Sequence, residues 1–174
     1  MGALFGLALM AAVASIDLPS PAPQSACTFS MAQSAPDVVV KGPDDILSRL
    51  RIIRQPDSPV VVAAVDLTEM DLVASTTSYS VTGSKVVELL NVSDRRVSDV
   101  RVTVWTRWSA FAGGGHSSRV AEIGPGERAV VRIGGRGQGT AGKESNLTVD
   151  VLIDSLKIGD CVYKPSQLIP ELEP

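Results

Sequence analysis

Along residues 85–108, KVVELLNVSDRRVSDVRVTVWTRW, apolar and polar positions alternate. Val100, Val102 and Val104 take every second place, with Arg101, Thr103 and Trp105 between them. Successive strand residues point to opposite faces, so this period predicts a strand with one buried face and one wet face. The polar cluster Ser93-Asp94-Arg95-Arg96 separates it from an earlier strand, which predicts two strands paired about a turn. Leu147, Val149, Val151 and Ile153 repeat the pattern against Thr148, Asp150, Leu152 and Asp154. Residues 60–65 are apolar without alternation, as in a strand covered on both sides, and residues 70–74 continue it past a bend. Tyr79-Ser80-Val81 leads through Gly83 into the central pair. Strands at 118–123 and 129–133, the latter with Val130 or Val131 inward, flank the tight turn Gly124-Pro125-Gly126-Glu127, and residues 156–162 close the set. The glycine-rich stretches 110–115 and 134–142 predict mobile connections. About seven to nine short strands with regular turn signals predict an all-β, antiparallel β-sandwich over residues 59–165.

Upstream, Val38-Val39-Val40 predicts a short strand that stops at Lys41-Gly42-Pro43. Within a connecting segment, 37–58, Asp44 or Asp45 is placed to cap a short helix with Ile46, Leu50 and Ile53 on one side. Leu50-Arg51-Ile52 also alternates like a strand, so both readings stand. Residues 166–174 are a tail.

The chain has 174 residues and 44% hydrophobic content, enough to fill the core of one domain. Its formal charge of −3 is too small to argue for nucleic acid, and no nucleic-acid partner is expected. The charge is unevenly spread: residues 85–143 carry +5 and the remainder −8, a split that suits an anionic partner on the basic strands or, more plainly, a solvated sheet face balanced by acidic loops.

Residues 2–16, GALFGLALMAAVASI, hold no charge and have the length of a signal-peptide apolar region, shorter than a comfortable membrane span. Ala12-Val13-Ala14 supplies a small-x-small cleavage pattern, so residues 1–14 are expected to leave and the product to begin at Ser15. No Lys or Arg precedes the apolar run; either the α-amino group acts as its positive end or the true start lies upstream. A Pro/Ser/Ala-rich stretch, 15–36, follows as a loose tether. The expectation is a secreted or periplasmic protein without stable membrane insertion after cleavage. In that setting Cys27 and Cys161 are expected to form a disulfide, stapling the tether to the folded body. Loop closure over so long a separation is worth roughly 4–5 kcal/mol.

Candidate chemistry is sparse. Gly137-Gln138-Gly139-Thr140-Ala141-Gly142-Lys143-Glu144 approaches a phosphate-binding loop, but Glu144 stands where magnesium needs Ser or Thr, and a strand follows instead of a helix. The single histidine, His116, reads as a loop residue at a solvent edge beside Ser117 and Ser118. One imidazole makes neither a triad nor an imidazole-rich metal site. Asp150, Asp154 and Asp160 do not form a calcium loop, and Asp150 and Asp154 read as carboxylates on a wet strand face. Asn91-Val92-Ser93 and Asn146-Leu147-Thr148 fit the glycosylation sequon. No metal or cofactor is expected.

Trp105 and Trp108, three residues apart on one strand, must face opposite ways. Trp108 shares parity with the valines and is expected in or capping the core. Trp105 then joins Arg101 and Arg107 on the outer face, where an indole beside guanidiniums suits a sugar, an aromatic ligand or a protein partner. The plain counterpart is an arginine or the tether covering the indole.

Residues 87–104, with Asn91-Val92-Ser93 before a polar turn and Val100-Arg101-Val102-Thr103-Val104 after it, resemble paired strands of bacterial extracellular immunoglobulin-like domains of the CARDB and FxLYD types. Ile123-Gly124-Pro125-Gly126-Glu127 followed by Val130-Val131-Arg132-Ile133 is similar to a turn of those families. The Phe-x-Leu-Tyr-Asp signature is absent, so no functional residue carries over. The resemblance implies an immunoglobulin-like fold and an exported binding or spacer module. The expectation is therefore a non-catalytic binding or assembly module of the cell envelope, with Trp105, Arg101 and Arg107 as its candidate surface. Its partner would be an envelope or extracellular protein, or a glycan. The competing classes are a structural subunit that assembles by edge-strand pairing and, less favoured, a hydrolase.

Overall fold

A computed structural model describes residues 27–107, 113–140 and 147–167. Two sheets pack face to face. The first contains β1 (Val39–Lys41), β3 (Val60–Asp66), β4 (Met70–Ala74), β5 (Ser78–Asn91) and β8 (Arg128–Thr140). The second contains β2 (Leu50–Ile52), β6 (Val97–Arg107), β7 (Gly113–Ile123), β9 (Thr148–Ile158) and β10 (Cys161–Tyr163). β3 and β4 pair antiparallel with successive parts of β5, first Val60↔Asn91 to Asp66↔Val86, then Met70↔Gly83 to Ala74↔Tyr79. Together they act as one interrupted strand. β8 covers the other side of β5 from Ser78↔Thr140 to Leu90↔Arg128, and β6 lies between β7 and β9.

The expected all-β sandwich forms. Its sheets are mixed instead of purely antiparallel because β1 and β2 join β3 and β9 in parallel. Both enter by crossovers, which permit a parallel partner where a tight hairpin does not. The additional strands are the three-residue elements β1, β2 and β10. Segment 37–58 therefore contributes strands to both sheets.

Alternation produces the core. Val100, Val102 and Val104 of β6 meet Tyr79, Val81, Val87 and Leu89 of β5, Val131 and Ile133 of β8, and Val149, Val151 and Ile153 of β9 in one buried cluster. Val131 is the inward member of its pair; Val130 is 65% exposed. Val97 and Val100 are both buried although three residues apart. The register of β6 slips between them, and Asp99 takes φ 50°, a left-handed conformation that aspartate tolerates. A second slip, between Val62 and Ala64, explains the unbroken apolar run at 60–65. Val60, Val62 and Val65 face inward, while Ala63 packs with Leu90 and Val92 in a separate small cluster.

Three local expectations change. The helix α1 (Asp44–Leu47) is a single turn with Pro43 at its N-cap and no side-chain cap from either aspartate. Leu50 follows it as the start of β2, so the strand reading of 50–52 holds. The described part of the tether, 27–36, is bound: Ala32 N–H donates to Val92 O (2.7 Å), and Ser30 and Asp94 exchange bonds of 2.9 Å. The Cys27–Cys161 disulfide ties its start to β10, with Cα atoms 5.6 Å apart. The glycine stretches are strand, not loop, at 113–115 and 134–140. Glycine at inward positions 135, 137 and 139 leaves space for His116, Thr106 and Tyr79, whose side chains occupy the volume a Cβ would need. His116 is accordingly half-buried on β7 beneath Gly135, not on a solvent edge.

Two connections that cross between the sheets, β5 to β6 and β2 to β3, are pinned by polar groups. Asn91 is fully buried. Its Nδ2 donates to Arg95 O (2.7 Å) and Ile123 O (3.0 Å), and its Oδ1 accepts from Ser93 N–H and Oγ–H at 3.0 and 2.8 Å. This sequon is thus closed to modification once folded. Asp57 accepts from Tyr163 OH (2.9 Å) and from Ser166 Oγ–H (2.7 Å). Partial burial would raise Asp57, but the bonds from Ser166 and Tyr163 outweigh it and hold the carboxyl below its ordinary range. Burial, then the Asp57 carboxylate, push Tyr163 up to about 12. Among the described residues no helix is long and apolar enough to cross a membrane.

Candidate functional site

The outer face of the second sheet gathers the residues expected there. After the Asp99 slip, Arg101, Trp105 and Arg107 project outward from β6. Trp105 lies directly opposite Asp150 of β9, and Asp150 lies directly opposite Arg51 of β2. Three strands in register thereby bring together an indole, a carboxylate and a guanidinium that are far apart in the chain.

Asp150 is the centre of this arrangement. Its side chain is only 2% exposed, so it is not the wet-face carboxylate that alternation predicts. Arg51 grips it with two bonds of 2.8 Å, Nε to Oδ1 and Nη2 to Oδ2. Arg107 Nε approaches Oδ2 to 3.3 Å. Two guanidiniums compensate one buried charge, which makes the carboxylate tolerable there. Arg51 Nη2 also donates to Thr148 Oγ1 at 3.3 Å.

Arg107 is paired with Asp150 by charge, without a hydrogen bond from its Nε, and lies over the Trp105 ring with its guanidinium carbon 5.3 Å from the centroid, so an arginine partly covers the indole. On the neighbouring strand Gly115 pairs with Trp105, and a Cβ there would come within 2.9 Å of the indole. The ring therefore lies across bare backbone, an aromatic covering a glycine at the sheet edge. Trp105 is half-buried as a result. Arg101 is engaged separately: its Nε and Nη2 each donate to Ser117 Oγ at 3.2 Å, and Nε lies 3.5 Å from Asp154. The structure thus joins Trp105 to Arg107 and turns Arg101 toward Asp154 and Ser117. Trp108 lies outside the described residues, as do Lys143 and Glu144 of the phosphate-loop-like stretch and Asn146 of the second sequon.

Asp150, Arg51 and Gly115 escape sequence reasoning. A carboxylate inside the apolar run 147–153 is a signal of a paired buried charge, but nothing in the chain assigns residue 51 as its partner.

A second buried charge sits on the inward face of β5. Lys85 shares parity with Val81, Val87 and Leu89 and is 1% exposed, and among the described residues no carboxylate pairs with it. Burial holds its ammonium below the ordinary lysine range. No group of three or more His, Cys, Asp or Glu side chains able to hold a metal occurs among the described residues.

The outer face of the first sheet carries a groove of about 310 Å³. Val39, Val86 and Val130 line it together with Lys41, Asp66, Glu88 and Arg128, and Glu88 pairs with Arg128.

No protein-family model, curated protein or solved structure matches the chain.

Proposed function

We propose that the chain is an exported, non-catalytic binding or assembly module of the cell envelope, which engages a protein or glycan through the Trp105 face. One observation carries this reading: a half-buried indole lies over side-chain-free backbone, beside a guanidinium that is charge-paired with a buried carboxylate. Such a platform loses little side-chain freedom when a sugar ring or a protein side chain stacks on it. The Cys27–Cys161 disulfide supports the exported setting, since such bonds persist in oxidising compartments. The apolar segment 2–16 and the resemblance of residues 87–104 to bacterial extracellular immunoglobulin-like domains point the same way. A hydrolase is less favoured, because the single imidazole, His116, packs against Gly135 inside the sandwich.

The test is crosslinking in the native envelope from a photoreactive residue at the exposed position 119, next to this face. The expected result is a discrete adduct that disappears with Trp105→Ala while the variant keeps its β-sheet circular-dichroism spectrum. An adduct pattern indifferent to Trp105→Ala overturns the assignment of this face. Assembly through a strand edge is a second reading, favoured by the exposed edge strand β1.

A further inference from the structure

We propose that β1 pairs antiparallel with β1 of a second copy of this chain, about a two-fold axis at Val39. The inference rests on the assembly reading alone and is independent of the Trp105 face.

β1 ends the first sheet, and its three residues are all exposed. Leu67 N–H donates to Lys41 O at 2.7 Å, so the backbone groups of residue 41 face β3. Alternation then turns those of Val39 toward β3 and those of Val38 and Val40 away from the sheet. Among the described residues β1 pairs with β3 alone, on its other side, and no turn or loop backbone bond reaches Val38 or Val40. An edge that is apolar and unpaired is a template for another strand. Val38, Val39 and Val40 are 37%, 56% and 43% exposed, and Pro36 and Pro43 bound the usable length.

The occupant follows from charge. The segment reads Asp37-Val38-Val39-Val40-Lys41, apolar at its centre with opposite charges at its ends. Antiparallel pairing about Val39 sets Val38 against Val40 of the second copy, and Val40 against its Val38. Those are the residues whose N–H and C=O groups point outward, so each pair exchanges two hydrogen bonds. In the same register Asp37 meets Lys41 of the second copy, twice over by symmetry. Both pairs fall at non-hydrogen-bonded positions, where side chains come closest. A shift of register by two residues in either direction loses this match. Val39 and Lys41 also line the outer groove, so the dimer joins two grooves into one trough across the axis.

The mass of the purified chain, measured by sedimentation equilibrium from micromolar to millimolar concentration, tests this. The expected result is a rise from one chain to two. Lys41→Asp places like charges together twice and weakens dimerisation by about tenfold or more; adding Asp37→Lys to it restores the match and the affinity. Val40→Pro removes an outward N–H while sparing the bonds to β3, and it abolishes the dimer. Because the two charge changes lie on exposed side chains, they keep the test decisive if Val40→Pro does not fold. A chain that stays single at millimolar concentration overturns the proposal, as does a dimer unaffected by Lys41→Asp. Either result leaves partner capture through Trp105 unaltered.

Discussion

Two regions of this sandwich bury a charge, and they handle it in opposite ways. On the outer face of the second sheet, Asp150 is enclosed by Arg51 and Arg107, with Trp105 stacked beside the latter. On the inward face of β5, Lys85 lies among valines and leucines, with no carboxylate pairing with it among the described residues. The first is a preorganised polar cluster in which each charge has an answer close by. The second loses hydration without electrostatic return, and burial alone holds its ammonium below the ordinary range. The contrast separates burial from location in the core. Asp150 is dry because strand register delivers partners over it, whereas Lys85 is dry because the second sheet closes over the face it occupies.

The largest expected effect comes from removing the centre of the compensated cluster. Asp150→Ala leaves Arg51 and Arg107 facing each other without their counter-ion and is expected to lower stability by about 3 kcal/mol. Urea denaturation measures it, and a loss within experimental scatter would mean the two guanidiniums find water instead. The opposite sign is expected at the other site. Lys85→Met keeps the volume and removes the unpaired ammonium, raising stability at neutral pH by about 1–3 kcal/mol, the cost of a buried polar group without a partner.

The pH dependence sharpens that second result. Between the lowered pKa of folded Lys85 and the ordinary value of 10.5, the unfolded chain holds the extra proton, so wild-type stability rises with pH in that window. The advantage of Lys85→Met should therefore shrink as pH approaches 10. Above that, Tyr163 works the other way. Its proton is retained up to about 12 in the folded state and lost near 10 in the unfolded state, so stability falls between those values in both proteins. Parallel denaturation curves for wild type and Lys85→Met across pH 7–10 would show Lys85 to be solvated after all. The smallest effect belongs to Arg101. Its ion pair with Asp154 is 42% exposed on both sides, and Arg101→Ala should change stability by no more than about 1 kcal/mol, with part of that screened by salt.

Much of the sandwich is legible in the chain because strand alternation is local. Val100, Val102 and Val104, and Val149, Val151 and Ile153, announce their buried faces without any partner being known. The turn Gly124-Pro125-Gly126-Glu127 is equally local: Gly126 has φ 71°, and Glu127 N–H closes on Gly124 O at 3.1 Å. Glycine misleads where the reason for it lies elsewhere in space. Residues 134–140 look like a loop, yet they form strand because inward glycines on β8 accommodate His116, Thr106 and Tyr79 from other strands. His116 reads as exposed for the same reason, since its cover is on β8 and not in its own neighbourhood.

The candidate site divides along the same line. That Arg101, Trp105 and Arg107 leave one side of β6 is a matter of parity, which the chain determined by itself. Which guanidinium stacks on Trp105, which carboxylate holds it, and that Arg51 completes the cluster were decided only by the register of β2, β9, β6 and β7. The physical reason is range. A side chain's direction depends on its own backbone and immediate neighbours, whereas a charge is compensated by whichever strand the packing of two sheets brings alongside it.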